Sequence, residues 1–289
     1  MIIVIGKNGL LAQEIKYCSD SLPILFFGRN DINLLCKDSL YKVLNSYSPK
    51  AIVNTAAWTN VVSAEEEIDS VFALNHLAVL NLAQYCNDKS VRFLHISSDY
   101  VFDGTKKEPY KINDIPNPIN IYGRSKLAAE ESIFEFKNSE FSVIRTSWLY
   151  SVFGNNFLKK MLNLMQNNEK INVVSDEKGG PTYARDLAKF ILEIISISKL
   201  ERIYHWRDYG IASRYELALE IYIQAKRLGL ITTEVTINKI STAEFNKNFL
   251  NPPIRPLNNI LEQYPINNNH WKDNVRSVLE SLSMTSSLN

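Results

Sequence analysis

Met1-Ile2-Ile3-Val4-Ile5-Gly6-Lys7-Asn8-Gly9-Leu10-Leu11-Ala12 opens the chain. The branched apolar run Ile2 to Ile5 suits a strand buried on both faces. Glycines then interrupt it, and a helix-period stretch begins at Leu10. In this strand–turn–helix context a glycine-rich turn exposes backbone N–H groups and a helix N-terminus to a pyrophosphate. Gly6 and Gly9 permit the tight turn and the close approach, with Leu10 and Leu11 at the helix start. Ala12 stands where a third glycine would allow tight helix packing. Such glycines also serve ordinary strand-to-helix turns, so the segment alone leaves both readings open.

Downstream the pattern repeats. Ile24 to Phe27, Ala51 to Asn54, Phe93 to Ser97 and Phe141 to Thr146 read as further buried strands, separated by helical stretches such as Val71 to Cys86 and Ser125 to Phe136. Strands alternating with helices at this spacing predict an α/β fold, a doubly wound parallel sheet covered on both faces. In such sheets ligands bind beyond the carboxyl ends of the strands. The second half is less regular, with helices at Asn156 to Gln166, Ala184 to Ile197, Arg214 to Leu228 and Trp271 to Leu282, a strand at Ile171 to Val174, and a frayed tail from Ser283. The expected division assigns 1–150 and about 171–200 to the nucleotide-binding domain, and about 151–170 and 201–289 to a smaller C-terminal lobe that closes over the sheet.

Composition narrows the function. Among 289 residues, 32 basic and 31 acidic side chains give a net charge of +1, far from the basic excess of a nucleic-acid binder. An apolar fraction of 45% sustains a core. Cys18, Cys36 and Cys86 are odd in number and widely spaced, which argues against a disulfide framework or a zinc cluster and for a reducing cytoplasm. No apolar run reaches the roughly 20 residues of a membrane span, and the first residues lack the basic region and cleavage site of an export signal. His76, His95, His205 and His270 show no metal-ligand spacing.

Three strand ends carry candidate chemistry. After the second strand, Gly28-Arg29-Asn30-Asp31-Ile32 occupies the place where NAD sites carry a carboxylate for the ribose and NADP sites an arginine for the extra phosphate. Arg29 points to NADPH, a solvated turn arginine being the competing reading; Asp31 and Ile32 could line the adenosine. Asn54-Thr55-Ala56-Ala57-Trp58 ends the third strand in small residues that let a cofactor lie against the backbone, or that merely pack. Ser97-Ser98-Asp99 ends the fourth. Downstream, Tyr122 and Lys126 lie four residues apart on one helix face, so the ammonium is expected to lower the phenol pKa from about 10 toward working pH. Ser98 would hold a substrate carbonyl oxygen together with Tyr122. A lone Y-x-x-x-K is common, but joined to a strand-end serine and the glycine turn it becomes specific.

With these motifs in place the chain resembles the extended short-chain dehydrogenases, and within them the dTDP-4-dehydrorhamnose reductase family. The resemblance spans nearly the whole chain. It rests on the glycine turn, Asn54-Thr55-Ala56-Ala57 with Ala64-Glu65, Ser97 to Gly104, Asn117 to Ala128, Arg145-Thr146-Ser147-Trp148-Leu149-Tyr150, Gly154-Asn155-Asn156-Phe157, Gly180-Pro181-Thr182 and Arg255-Pro256. It implies a Rossmann domain with a substrate-binding lobe, and NADPH or NADH delivering hydride to the C4 ketone of a nucleotide-linked 4-keto-6-deoxyhexose. Tyr122 would give the proton, Lys126 hold the nicotinamide ribose, Ser98 orient the ketone, and Asp99 and Trp148 contact the sugar. Arg255, in Asn251-Pro252-Pro253-Ile254-Arg255-Pro256, resembles the substrate loop and is expected to bind the pyrophosphate.

The chain departs from the family at Val61-Val62-Ser63-Ala64-Glu65, where Val-Asp-Lys-Ala-Glu is usual, and at Ala12 and Ala129, where glycines are usual. Some members hold a magnesium ion between subunits through glutamates; Glu14 matches one, but Arg185 stands where another is expected, so no structural metal is predicted. The partners implied are the nucleotide sugar and, left open, a second copy in a homodimer. Two rival functions remain: a catalytically silent NAD(P)-binding regulatory subunit, as in methionine adenosyltransferase, and a nucleotide-sugar epimerase.

Overall fold

Apolar runs too short for helices alternate with amphipathic segments, and the first half folds accordingly. It comprises β1 (Ile2–Ile5), α1 (Leu10–Cys18), β2 (Ile24–Phe27), α2 (Lys37–Tyr47), β3 (Ala51–Asn54), α3 (Val61–Ala64), α4 (Ile68–Phe72), a π-helical turn (Ala73–Leu77), α5 (Ala78–Asp88), β4 (Arg92–Ser98), α6 (Ile121–Glu135) and β5 (Phe141–Thr146). The second half follows with β6 (Leu149–Tyr150), α7 (Phe157–Asn167), β7 (Lys170–Val174), β8 (Lys178–Gly179), β9 (Thr182–Tyr183), α8 (Ala184–Ile194), β10 (Ile203–Trp206), β11 (Ala212–Ser213), α9 (Arg214–Arg227), β12 (Thr236–Ile240), α10 (Thr242–Asn246), β13 (Asn258–Asn259) and α11 (Trp271–Ser286). The structure is a computed structural model that describes residues 1–20, 22–249, 254–264 and 268–286.

Six strands form one parallel sheet in the order β2-β1-β3-β4-β5-β10. Ile5 stands opposite both Phe27 and Asn54, and Ser98 opposite Thr146, so the strands end nearly in line. The chain moves outward from β1 to β2 and then back past β1 to β3. Their connecting loops therefore leave toward opposite sides, which opens a crevice at the carboxyl edge.

Each face of the sheet is covered by an apolar helix stripe. On one face Leu11, Ala12 and Ile15 of α1 pack with Leu187, Ala188 and Ile191 of α8. Ile15, Leu187 and Ile191 are fully buried, a state worth about 1.5–3 kcal/mol for each such side chain. On the other, Leu40 and Leu44 of α2, Val79 and Leu82 of α5, and Ala129 and Ile133 of α6 cover Ile3, Ile52, Phe93 and Val143. A separate core joins Leu158 and Met161 of α7, Ile171 and Val173 of β7, Leu217 and Ile221 of α9, and Trp271, Val275 and Leu279 of α11. No helix among the described residues is long and apolar enough to cross a membrane.

Two strands depart from the expected division. The Ile171 to Val174 strand was expected with the large sheet, but β7 pairs with β12 in a two-stranded ribbon and buries Ile171 and Val173 in the separate core. Conversely β10, within the span given to the smaller lobe, is the sixth strand of the large sheet, with Tyr204 opposite Ile144. The alternating polarity of Lys170–Val174 marks a strand with one wet face, whereas Ile203–Trp206 buries three of its four residues. The tail expected to fray from Ser283 continues as α11 to Ser286.

Candidate active site

A cleft of about 1090 Å³ runs along the carboxyl ends of β1 to β5. Its floor at one end is the first turn. Gly6 has φ of +102°, and a Cβ there would stand 2.6 Å from Thr55 Oγ1 and 2.8 Å from the Ala56 nitrogen, so only glycine fits. Gly9 caps α1 without a side-chain bond, and the first helical hydrogen bond runs from the Gln13 N–H to the Gly9 carbonyl. The N–H groups of Leu10, Leu11 and Ala12 therefore have no acceptor within the helix. Ala56 and Ala57 line the same end.

Arg29, Asp31 and Ile32 form the outer wall there. Asp31 Oδ2 accepts from the Gly28 N–H at 2.8 Å and from Lys7 Nζ at 3.3 Å, and these bonds hold its carboxyl below the usual range. Arg29 is exposed beside it and makes no side-chain hydrogen bond among the described residues. Trp58, expected against the cofactor, is not on the cleft wall. Its indole N–H is shared between the Asn60 carbonyl and Ser63 Oγ, each at 3.2 Å, while its backbone is clamped by Asn75, which accepts from the Trp58 N–H at 2.7 Å and donates to the Trp58 carbonyl at 3.1 Å.

At the far end the cleft brings together Ser98, Asp99, Tyr122, Lys126 and Trp148. α6 carries two of them and is seated from four sides. Its N-terminus is capped by Asn120 Oδ1, which accepts from the Gly123 N–H at 2.8 Å, and by Glu65 Oε1, which accepts from the Ile121 N–H at 3.0 Å. Gly123 lies so close to the end of β4 that a Cβ would stand 2.1 Å from the Tyr100 carbonyl oxygen. Deeper, Arg145 of β5 pairs with Glu130 of α6 at 2.6 Å, and Ser97 Oγ donates to the same carboxylate at 2.5 Å.

The titration state of the pair differs from expectation. The phenol of Tyr122 is pushed up to about 12 by burial, with the Asp99 charge acting in the same direction and the Ser98 hydroxyl opposing. Lys126 does not lower it. At 1% exposure, its ammonium donates to the Ile96 carbonyl at 2.7 Å and lies 3.2 Å from His95 Nε2, and burial brings its own pKa down to about 8. Shared helix face did not translate into a hydrogen bond between them, because the strand beneath supplies the Ile96 carbonyl as acceptor for the ammonium.

The wall across from Tyr122 belongs to the sugar-side candidates. Ser98 Oγ donates to Asp99 Oδ1 at 2.9 Å, while Oδ2 is buried without a hydrogen-bond partner. Burial raises this carboxyl to about 7. Trp148 takes φ of +45°, and Gly179 meets its indole so closely that a Cβ would stand 2.6 Å from Cε2. Arg255 is not on the cleft wall; its Nη1 lies 3.6 Å from Glu177 Oε1. Asn251 to Pro253 of its loop lie outside the described residues.

Several contributors were not singled out from sequence. Arg214 lines the cleft, with its guanidinium carbon 3.5 Å from the centre of the Trp148 ring. His95, stacked on Phe93, and Asn75, in the π-helical turn, lie behind Lys126 and Trp58. A polar residue inside an otherwise apolar strand or helix was the available signal in both cases. Away from the cleft, Glu14 is fully buried, and both its oxygens are engaged by Ser151 Oγ at 2.7 Å and Arg185 Nε at 2.8 Å.

Comparison with known proteins shows the family. The family model of the RmlD substrate binding domain matches residues 1–284. A dTDP-4-dehydrorhamnose reductase of Sinorhizobium fredii is 34% identical, with 97% of each chain covered. A dTDP-4-keto-6-deoxy-D-glucose reductase of Streptomyces niveus is 35% identical over 75% of each chain. The crystal structure of the dTDP-4-dehydrorhamnose reductase of Bacillus anthracis in complex with NADP superposes with a TM-score of 0.89 at 30% identity, covering 97% of this chain and 98% of that one. A match over this whole length, in sequence and in fold, places the chain in the dTDP-4-dehydrorhamnose reductase family, and to that family it belongs.

Proposed function

We propose that the protein reduces the C4 ketone of a nucleotide-linked 4-keto-6-deoxyhexose, foremost dTDP-4-dehydro-L-rhamnose, with NADPH, as a step toward a deoxysugar for surface polysaccharide. One observation carries the reading: Ser98, Tyr122 and Lys126 line the same cleft as the Gly6 to Leu11 turn. The residues fit a dinucleotide, since the cleft reaches the α1 N-terminus, whose first N–H groups have no acceptor within the helix. When bound, NADPH supplies a hydride equivalent.

The chain's own residues do the rest. Tyr122 holds its proton firmly at neutral pH and donates it to the ketone oxygen as charge develops there, which makes it the general acid. Ser98 Oγ turns from Asp99 Oδ1 to the same oxygen and steadies the forming alkoxide. Lys126, drawn between the Ile96 carbonyl and the cleft, holds the nicotinamide ribose. Asp99 Oδ2 is the buried acceptor free for a sugar hydroxyl, and Trp148 borders the same end of the cleft. Arg29 takes the ribose phosphate, because the carboxylate of Asp31 is already committed to Gly28 and Lys7.

The test offers the purified protein a panel of enzymatically generated 4-keto-6-deoxy nucleotide sugars with NADPH. Loss of reduced-nicotinamide absorbance and a new C4 hydroxyl in the product are the expected result. Binding of NADPH without turnover of any member would turn the reading to a silent binding subunit. Interconversion of sugars with no net NADPH consumption would turn it to an epimerase.

A further inference from the structure

Four cationic side chains line the cleft, and three are accounted for: Lys7 pairs with Asp31, Arg29 stands at the outer wall after β2, and Lys126 donates to the Ile96 carbonyl. The fourth, Arg214, is the first residue of α9. It is the one charged side chain beyond residue 150 among the described lining residues. We propose that Arg214 reads the diphosphate of the nucleotide sugar, spread on Trp148 and steered by Glu177, and that Arg255 acts through Glu177 as a positioning residue. This assignment rests on the reading above that the substrate is a nucleotide sugar.

The local geometry leaves the guanidinium available. Its carbon lies 3.5 Å from the Trp148 ring centre, a stacking distance that fixes the plane and leaves N–H edges to meet a planar pair of oxygens. Its Nε is 3.6 Å from Glu177 Oε2, close enough for charge to orient it but too long for a hydrogen bond that would consume the donor. The backbone is equally fixed, because the Arg214 N–H donates to the Glu177 carbonyl at 3.3 Å and Ser213 closes a capping box with Glu216. Glu177 Oε1, buried and without a hydrogen bond, faces Arg255 Nη1 at 3.6 Å. Arg255 thus offsets the charge of Glu177 and leaves Arg214 cationic toward the cleft.

Charge balance favours such a residue. Asp99 is 2% exposed, and in its ionised form it would repel a dianionic ligand one sugar ring away from the reacting ketone. The Arg214 charge already acts on both Asp99 and Tyr100, which places it within electrostatic reach of that wall. A diphosphate joined to the anomeric carbon lies across the ring from C4, on the Trp148 side of the cleft, where a guanidinium fork suits its oxygens.

The experiment compares thymidine diphosphate with thymidine as competitive ligands of the NADP-loaded protein, for the wild type, Arg214→Gln, Arg214→Lys and Arg255→Gln. The wild type is expected to prefer the diphosphate. Arg214→Gln is expected to lose about 10- to 100-fold of that preference, the range of a charge-assisted contact, and to raise KM for the nucleotide sugar by a similar factor, with kcat and KM for NADPH nearly unchanged. Arg214→Lys keeps part of the preference, and Arg255→Gln lowers it less than Arg214→Gln does. Equal weakening of thymidine and its diphosphate in Arg214→Gln would overturn the assignment, as would a larger loss in Arg255→Gln. Failure of the substrate reading is separate: the wild type would then oxidise no NADPH with any 4-keto nucleotide sugar while its preference for the diphosphate could still be measured.

Discussion

Asp99 and Tyr122 are both pushed toward their neutral forms by burial, with different consequences. Asp99 has a folded-state pKa of about 7 against 3.8 in an open chain. Its carboxyl therefore adds stability that is fully present below about pH 4 and is lost as pH rises through 7. Asp99→Asn should leave stability unchanged near pH 4 and raise it by on the order of 2–4 kcal/mol at pH 8, which denaturant unfolding across that range would measure. A gain of the same size at both pH values would mean that packing, not ionisation, governs the site. Tyr122 stays a phenol throughout the physiological range, so it is a donor that needs no tuning to be protonated. Tyr122→Phe retains the ring packed edge-on against Tyr100 but removes the proton. Turnover is expected to fall by roughly 100- to 10,000-fold while NADPH binding, followed by fluorescence, persists.

At the scale of elements, α6 is the part whose placement decides the chemistry. Gly123→Ala should cost at least about 1–3 kcal/mol, because the added Cβ would stand 2.1 Å from the Tyr100 oxygen and force the helix off β4. Turnover should fall with it, and a variant with unaltered melting and kinetics would contradict this seating. How much of the arrangement was legible follows from the kind of signal each element carries. The five strands of the first half and the helices between them were readable because continuous branched runs and helix-period stretches report burial directly. Ser98, Tyr122 and Lys126 were readable because strand ends and a four-residue helix spacing are local features. The partners of Lys126 were not, because the Ile96 carbonyl belongs to a strand 30 residues earlier and no helix periodicity encodes it. The neighbours of β7 and β10 were hidden for a similar reason: a strand's own sequence shows that it pairs, not with which neighbour. Arg214 was hidden because a polar residue at a helix start reads as an exposed cap position, and only the approach of Trp148 turns it toward the cleft.

For the molecule as a whole, a parallel sheet with its crevice at the β1/β3 switch point and a smaller apolar core beside it brings the glycine turn and the Tyr122 phenol into one cleft. Cofactor choice belongs to this scale, since the proposed phosphate contact, Arg29, stands at the outer end of the cleft. Arg29→Ala should weaken NADPH by about 10- to 100-fold and leave NADH nearly unchanged, as steady-state KM values for both would register. Equal effects would leave Arg29 a turn residue. The central claim is that the cleft moves hydride to C4 of a nucleotide-linked ketosugar while Tyr122 protonates the oxygen. It is tested most directly with NADPH carrying deuterium at the transferable position of nicotinamide C4, incubated with dTDP-4-dehydro-L-rhamnose and the protein, and with the product examined by NMR. The account predicts one deuterium on sugar C4 in a single configuration, with none when Tyr122→Phe replaces the wild type over the same interval. Deuterium retained on the nicotinamide, or found at any other sugar carbon, would contradict it.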